Sequence, residues 1–580
     1  MFTETSVEFS AEYPAAARKF NKLAELFDSQ GQYEQAESLY QQALTIVEKE
    51  LGSEHPDTVN TLRVLAERYD SLGKYAKAEP LFKQALALRE KVLGSEHPDI
   101  VCILNNLAGI YKNQGKYEKA EPICQRAVKI AEKKLGSEHP ETAGALNTLA
   151  ALYKNQGKLA QAEPLYKRAL AIVEKSLGSD HLFASYTLNN LAALYRCQGK
   201  YGQSEPLYKR ALAISEKELG TGHPDTMSAL SNLAALYNIQ GKYEQAEPLF
   251  KRVLKIREKV LGPTHPDVAS SLNNLAALYR NQGKYKQAEP LYKQALAMFE
   301  KMLGPDHPET AGMLNNLATL YESQGKLAQA EPLFKRALAI REKALGPMHP
   351  ELATTLSSLA ALYKEQEKYD QAEPLCLRAQ TIVEKKLGPE HPDTASTINI
   401  LAGIYESQGK YDKAEPLCRR ALNMVEKGLG SDHPFFVGGL NNLASIYDKQ
   451  GKYEQAELLY KRALTIVERK LTPKHPYTLT TLDNISEFYG NQGKYEQAEP
   501  LYKQALTNAE KVLGPEHPDT MRILTNLAAL CGNQGKYEQA KPLYERALKI
   551  KEKVLGSEHP DTVTTRNCLV VIQCVLQQKP

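Results

Sequence analysis

Apolar residues recur along the chain at the spacing of amphipathic helices that come in pairs. In residues 266–304, a first stripe follows the spacing i, i+3, i+4, i+7 and comprises Leu272, Leu275, Ala276 and Tyr279. After Gly283 and Lys284, a second stripe comprises Ala288, Leu291, Tyr292, Ala295, Leu296, Phe299 and Leu303. Glycine readily adopts the left-handed conformation that ends a helix, and so short a turn leaves room only for an antiparallel arrangement. The pattern therefore predicts two antiparallel helices, which we call helix A and helix B.

This unit repeats along the chain without interruption. All 13 histidines are spaced 42 residues apart, from His55 to His559. The recurring His-Pro pair is predicted to begin helix A, because proline lacks an N–H that a first-turn residue does not need. We expect the imidazole to cap the helix or pack locally. An array without insertions predicts one continuous all-α superhelical solenoid of about thirteen helix pairs, in which each pair contacts only its neighbours.

The period also predicts the domain boundaries. We expect a short N-terminal tail over residues 1–13, thirteen tandem 42-residue helix pairs over residues 14–560, and a C-terminal capping helix and tail over residues 561–580. Eleven of the thirteen B helices carry a proline near the first turn, which is Pro290 in the unit described above. Because it lies at or just beyond the last free N–H, we expect a slight bend rather than a break.

Charge and composition narrow the classes of function. The 73 Lys and Arg residues nearly balance the 69 Asp and Glu residues, giving +4, which is too even for a protein that binds nucleic acid by neutralising phosphates. No apolar stretch approaches the roughly 20 residues that span a bilayer, and the first residues do not resemble a secretory signal. The eight cysteines form no CxxC pair, which favours a reducing compartment. We therefore expect a cytoplasmic protein without a nucleic-acid partner or membrane insertion.

The repeated residues favour neither a metal site nor catalysis. Neighbouring histidines lie one whole helix pair apart, too far for a tetrahedral or octahedral metal site. A catalytic centre would need a non-repeated cluster of nucleophile, base and orienting group, yet every titratable residue that stands out recurs with the repeat. The Gly-Lys pairs are followed by Tyr or Leu, so they do not form a phosphate-binding loop. The sequence predicts a protein that is not an enzyme and needs no metal or cofactor.

Residues 189–212 and 273–296 carry, almost unaltered, the string Asn-Asn-Leu-Ala-x-Leu-Tyr-x-x-Gln-Gly-Lys-Tyr-x-x-Ala-Glu-Pro-Leu-Tyr-Lys-Arg-Ala-Leu. This string resembles the tetratricopeptide repeat consensus. The 42-residue period and the Leu-Gly-x-x-His-Pro-Asp linker make it similar to the repeats of kinesin light chains, over residues 14–578. The resemblance implies that the A helices line a concave surface and that asparagines there contact the backbone of a bound peptide. Nothing in the sequence matches the coiled coil through which kinesin light chains bind the motor heavy chain.

Asparagine stands two residues before the core alanine of helix A in eight of the thirteen repeats. Its amide offers both a donor and an acceptor to an extended peptide. The alternative is that duplication copied a harmless surface residue. Basic residues follow the helix-A tyrosine in several of the third to seventh pairs, and Tyr186 occupies a groove position that is small in most repeats. The candidate peptide-binding residues are Asn106, Asn190, Asn232, Asn274, Asn316, Lys112, Lys154, Arg196, Arg280 and Tyr186.

These observations favour a non-catalytic scaffold that binds a protein or an extended peptide, with acidic peptides preferred, in the concave helix-A groove. Two other functions fit the same sequence. One is a cargo adaptor of a microtubule motor, similar to a kinesin light chain. The other is a structural or self-assembling rod.

Overall fold

The computed structural model describes residues 14–29, 33–72, 74–471, 473 and 475–577. Within these ranges the chain forms 27 helices and no strand, as the all-α prediction requires. The thirteen helix pairs are α1 with α2 through α25 with α26, and α27 is the single terminal helix. The predicted tail at residues 1–13 and the last residues, 578–580, lie outside the described residues.

The A helices and α27 are α1 Ala15–Ser29, α3 Pro56–Ser71, α5 Ile100–Asn113, α7 Pro140–Asn155, α9 Leu182–Cys197, α11 Pro224–Ile239, α13 Pro266–Asn281, α15 Pro308–Ser323, α17 Pro350–Glu365, α19 Pro392–Ser407, α21 Pro434–Lys449, α23 Pro476–Asn491, α25 Pro518–Asn533 and α27 Pro560–Gln577. The B helices are α2 Tyr33–Leu51, α4 Tyr75–Leu93, α6 Tyr117–Lys134, α8 Leu159–Ser176, α10 Tyr201–Leu219, α12 Tyr243–Leu261, α14 Tyr285–Met302, α16 Leu327–Leu345, α18 Tyr369–Lys386, α20 Tyr411–Leu429, α22 Tyr453–Lys470, α24 Tyr495–Val512 and α26 Tyr537–Val554.

Short-range chemistry sets the ends of each helix. His265 precedes α13, and its Nδ1 accepts a hydrogen bond of 3.1 Å from the backbone N–H of Asp267. All thirteen histidines make this bond, so the predicted capping role is confirmed. Gly283 ends the turn after α13 with a φ of 68°. Helix α14 continues through Pro290, so the proline does not break it.

Neighbouring pairs are joined by small buried residues and by a recurring polar cluster. Ala276, Ala288 and Ala295 have no exposed surface, which allows the helices to approach closely. The polar cluster uses the glutamate that precedes the B-helix proline, a residue that sequence analysis did not single out.

In the cluster between pairs 10 and 11, Glu415 accepts hydrogen bonds from Tyr447 Oη at 3.2 Å, Lys452 Nζ at 2.9 Å and Arg419 Nε at 3.0 Å. The bond from Lys452 lowers the pKa of Glu415 to about 2, against the effect of partial burial and with further help from Arg419. Similar clusters link the phenol of an A helix to the preceding B helix along much of the array.

The stack curves until successive turns of the superhelix touch, so the expectation that each pair contacts only its neighbours is wrong. The Nε2 of His349, before α17, lies 3.1 Å from the carbonyl oxygen of Asn113 at the end of α5. His307 and His433 make the same contact with Leu72 and Cys197, at 3.0 and 3.1 Å. Each contact joins pairs that are six apart, so about six pairs complete one turn. The period predicts a constant step between units but not the angle of that step.

Each of these three histidines therefore bonds at both ring nitrogens. Because Nδ1 accepts a backbone N–H, the proton of the neutral ring lies on Nε2, which can then donate to the carbonyl of the earlier turn. Successive A helices also contact one another, as α17 contacts α19 and α21 contacts α23. The A helices consequently line the inner, concave side of each turn.

Replacing glycine by alanine at two matched turns tests the contact between superhelical turns. Gly157 and Gly409 end equivalent helices with φ values of 70° and 71°, so the backbone cost of alanine, about 1–2 kcal/mol, is shared. At Gly157 the new Cβ would lie 2.6 Å from Cδ2 of His391, whereas at Gly409 nothing lies within 4 Å. We expect Gly157→Ala to lower the free energy of unfolding by about 1–3 kcal/mol more than Gly409→Ala, measured by urea denaturation. Equal losses would contradict the contact.

Acid should weaken the same contact through buried histidines. Burial lowers the pKa of His433 from 6.5 to about 4, although its bond to the Cys197 carbonyl opposes this effect. Protonation is therefore favoured in the unfolded chain, so the stability that the neutral ring contributes is present above pH 6.5. It is lost as the pH falls from 6.5 towards 4, by on the order of 3 kcal/mol.

We expect His433→Asn, which retains a capping side chain, to be less stable than the parent at pH 7.5 and to approach it at pH 4.5. Melting curves at the two pH values measure this difference. The control is His97→Asn, because the His97 side chain is 39% exposed and no pair precedes pair 3 by six positions. If both variants respond alike to pH, the titration of His433 does not govern the contact.

Candidate functional site

A row of charged side chains follows the concave surface, one residue after each helix-A tyrosine. In pairs 3 to 7 the row includes Lys112, Lys154, Arg196 and Arg280, all half-buried. Burial lowers the pKa of Lys112, and the nearby carboxylate of Asp70 only partly offsets it. Burial also lowers the pKa of Lys154, and the neighbouring charges of Lys112 and Arg196 add to this effect. Because burial removes solvent from these cations, an anion placed near them would be strongly attracted.

These four cations differ from most others in the repeat because, among the described residues, none forms an ion pair. Elsewhere the lysines of the A–B turns bind B-helix glutamates, as Lys116 Nζ does at 3.4 Å from Glu79 Oε2. Arginines on the B helices are also paired, as Arg126 is with Glu90 at 2.6 Å. The inner surface of pairs 3 to 7 therefore carries cations that have no carboxylate at ion-pair distance, although Asp70 lies near Lys112 and Glu322 near Arg280.

The predicted asparagines lie on the same inner surface, half-buried, and two of them bind a different asparagine of the preceding pair. Asn232 Nδ2 donates to Asn189 Oδ1 at 3.1 Å, and Asn316 Nδ2 donates to Asn273 Oδ1 at 2.9 Å. Asn106 differs because its amide donates to Glu67 Oε1 at 2.7 Å.

A primary amide has two donors and one acceptor, so a single bond of this kind leaves capacity for a ligand. Within the described part of the chain, Asn274 makes no hydrogen bond through its side chain. The structure thus places these amides along the groove with free donors or acceptors, and their role in binding stays a prediction.

Tyr186 lies on α9, in the middle pair of the basic region. Its ring is tilted against Phe183, with 6.4 Å between the centroids. Burial raises the pKa of the Tyr186 phenol, while a hydrogen bond with Asn190 acts in the opposite direction. Asn190 and Tyr186 are therefore one hydrogen-bonded unit of the groove wall, and the structure brings these two predicted residues together.

After Arg280 the row is mainly acidic, with Lys364 as the exception. Burial raises the pKa of Glu322 to about 7, the like charge of Glu365 raises it further, and Arg280 and Lys364 oppose both effects. Asp448 is also acidic, and burial raises its pKa. Sequence analysis did not single out Arg522, which fills the groove position of Tyr186 in pair 13 and forms an ion pair with the fully buried Asp483.

A cavity of about 450 Å³ opens on the concave side of pairs 9 to 12. Glycines and small residues of α19 and α21 leave this space, notably Gly403, Gly438 and Gly439. Phe435 and Tyr477 form an aromatic wall. Sequence analysis missed this cavity, although two signals were present: consecutive glycines inside a helix, and phenylalanine at the helix start where most repeats carry Asp or Glu.

The described residues lack two further features. No cluster of three or more His, Cys, Asp or Glu side chains is arranged to hold a metal ion. None of the described helices is long and apolar enough to cross a membrane.

Comparisons with known proteins agree with the repeat architecture. The profile described as tetratricopeptide repeat matches residues 15–91, 99–175, 141–217, 183–259, 225–301, 273–343, 309–375, 351–427, 393–469, 436–511, 477–553 and 519–569. No curated protein matches the chain.

Solved structures with similar repeats include a putative kinesin light chain of Podosopora anserina with nearly identical TPR-like repeats. It is 29% identical, with 35% of this chain and 97% of that chain covered and a TM-score of 0.32. BtubC (BKLC) from P. vanneervenii is 30% identical over 42% of this chain and 92% of that chain, with a TM-score of 0.31. A Rap protein complexed with competence and sporulation factor is 16% identical over 64% of this chain and 99% of that chain, with a TM-score of 0.44.

The raised pKa of Glu322 leads to a prediction about pH. The folded-state pKa of about 7 exceeds the ordinary value of 4.5, so stability from this group is present below pH 4.5 and is lost as the pH rises through 7. We expect Glu322→Gln to match the parent in melting temperature at pH 5 and to exceed it at pH 8. Glu367→Gln, at an exposed turn, is the control and should change neither value. A Glu322→Gln variant that is no more stable at pH 8 would show that the carboxylate is well solvated.

Proposed function

Since the chain belongs to the tetratricopeptide repeat family, we propose that it is a non-catalytic scaffold that binds a protein or an extended peptide along the concave surface of its A helices. The site is the groove of pairs 3 to 7, approximately residues 98–304, and the preferred ligand is a peptide rich in Asp and Glu. The free thiols of all eight cysteines suit a reducing compartment, and we place the protein in the cytoplasm.

The observation that carries this proposal is the set of groove cations without ion pairs. Lys112, Lys154, Arg196 and Arg280 lie on one inner surface, and none of them forms an ion pair with a described carboxylate. The nearest influences are Asp70 on Lys112 and Glu322 beside Arg280. Folding has already removed much of the water from these cations, as the lowered pKa values of Lys112 and Lys154 indicate. A ligand carboxylate would therefore gain attraction with little further desolvation of the protein.

The asparagines supply the sequence-independent part of the recognition. Amides can bind both the C=O and the N–H of an extended backbone, which fixes its position while selecting little among side chains. The unpaired amide of Asn274 lies in pair 7 with Arg280, and the partly engaged amide of Asn232 lies in pair 6, between the pairs of Arg196 and Arg280. Tyr186, held by Asn190, forms one wall of a side-chain pocket in this groove.

A structural rod is the second candidate function. The contacts between pairs six apart, such as His349 with the carbonyl of Asn113, support it. They stiffen the superhelix because bending would separate its turns. A rod needs no ligand, so the binding experiment below distinguishes the two functions.

We expect acidic peptides to bind the full-length protein more tightly than basic peptides of the same length, and with an affinity that falls as salt rises. Asn232→Ala and Asn274→Ala should each weaken the binding of the acidic peptide by about 1–3 kcal/mol if their amides bind its backbone. Arg196→Glu should weaken it mainly through a slower association rate. Surface plasmon resonance at two salt concentrations measures all three effects.

The matched control is Asn484→Ala, which changes the equivalent asparagine in pair 12, outside the basic groove, and should leave binding of this ligand unaffected. Equal binding of acidic and basic peptides, or unchanged binding after both substitutions in pairs 6 and 7, would refute the proposed groove. The asparagines would then be duplicated surface residues, and the rod would be favoured.

A further inference from the structure

The cavity of pairs 9 to 12 has a chemistry opposite to that of the basic groove, and we propose that it binds an arginine side chain of a peptide or protein partner. Its lining combines hydrogen-bond acceptors without donors, two aromatic rings and a carboxylate. An arginine guanidinium needs all three, because it has five N–H donors, no acceptor and a planar face that stacks on rings. This site is separate from the groove of pairs 3 to 7 and does not depend on its ligand.

Two asparagines that line the cavity have a buried side-chain oxygen without a donor. Asn441 is only 3% exposed, and its Nδ2 donates to Thr481 Oγ1 at 2.9 Å, which fixes the orientation of the amide. Its Oδ1 is buried and accepts no hydrogen bond within the described structure, and the same holds for Asn399 Oδ1. Both residues line the cavity. An unpaired buried acceptor is costly, so a ligand that donates to it is favoured.

Asn147 in pair 4 shows that the amide orientation itself belongs to the repeat. It donates to Thr187 Oγ1 at 2.9 Å, and its Oδ1 is likewise buried without a donor. Pairs 10 and 11 differ from pair 4 because the cavity lies beside both of their asparagines. Gly403 contributes to that space, because a Cβ built on it would have nothing within 4 Å.

The aromatic wall suits a flat cation. Phe435 is 46% exposed, which is unusual for so large an apolar side chain in this protein. Its ring meets that of Tyr477 edge-on, with 6.5 Å between centroids. Gly438 allows this placement, since a Cβ there would lie 3.0 Å from Tyr477 Cε1. A guanidinium can stack on such rings while its edge donates hydrogen bonds.

The carboxylate is Glu406, which lines the cavity. Ser445 Oγ and Lys449 Nζ both bind its Oε1, at 2.8 and 2.9 Å. The described structure gives Oε2 no donor, so this oxygen is available to a ligand. A guanidinium that reaches it would form a charge-assisted hydrogen bond.

The charges around the cavity favour a cation overall. Lys364 lines the cavity and is paired with Glu365 at 3.1 Å, while Lys449 is paired with the lining residue Glu406 at 2.9 Å. Asp448 and Glu487 lie near the same lysine-glutamate pair and act with Glu406 on the phenol of Tyr460, whose pKa is raised by burial and then by these three carboxylates. Two negative charges therefore remain unbalanced beside the cavity.

Fluorescence anisotropy with the full-length protein tests the site. The probe is a labelled nine-residue peptide of Ala and Ser with one central arginine, compared with peptides that carry citrulline, lysine, leucine or glutamate at that position. We expect the arginine peptide to bind most tightly. Glu406→Gln should weaken it about tenfold or more, and Lys364→Gln should strengthen it, because the two changes alter the charge of the cavity in opposite directions.

Filling the cavity with a larger side chain tests whether the arginine peptide binds there. Gly403→Met adds a side chain where no atom is close, so the fold should remain, which circular dichroism checks, and arginine-peptide binding should be lost. Gly109→Met, at the equivalent position of pair 3, is the matched control and should leave it unchanged.

Three results would overturn the proposal: equal binding of the leucine or glutamate peptide, no effect of Gly403→Met, or the same effect from Gly109→Met. Binding of acidic peptides to pairs 3 to 7 is measured separately through Asn232→Ala and Asn274→Ala. Failure of either site therefore leaves the other interpretable.

Discussion

Everything in this structure depends on the fixed packing of each helix pair against the next. Fully buried alanines such as Ala276 and Ala288 set how closely neighbouring helices approach. Clusters such as that of Glu415 with Tyr447 and Lys452 link the same neighbours through charge-assisted hydrogen bonds. Because every unit has the same length and nearly the same contacts, the rotation between units is also nearly constant. A constant rotation repeated thirteen times produces a regular superhelix.

The regular superhelix brings together pairs that are six apart in the chain. The start of each such A helix lies beside the end of the A helix six pairs earlier. One imidazole then bonds to both helices: His349 accepts from the N–H of Glu351 in its own helix and contacts the carbonyl of Asn113 in the earlier one. The same residue is thus a local cap and a long-range contact. This dual role links the stability of the superhelix to the protonation of buried histidines such as His433.

Burial also determines the electrostatics of the inner surface. Charged side chains of the A helices are half-buried there, so burial lowers the pKa of Lys112 and raises that of Glu322. Weak solvation makes each unpaired charge more selective for an opposite charge. The basic row of pairs 3 to 7 and the acidic cavity of pairs 9 to 12 are therefore proposed to bind different ligands, and one partner could engage both if it carried acidic and arginine segments in the right order.

The sequence by itself determined what local interactions control. Apolar spacing predicted the helix pairs, His-Pro predicted their starts, and glycines such as Gly283 predicted their ends, because capping and helix periodicity act within a few residues. The candidate residues Asn232, Lys112 and Tyr186 were found because they stand at repeated register positions. The tertiary structure alone decided which of these side chains are paired, that successive turns touch, and that Gly403, Phe435 and Asn441 surround one cavity. These features depend on the rotation between units, summed over many repeats. No residue pattern within a single repeat shows the size of that rotation.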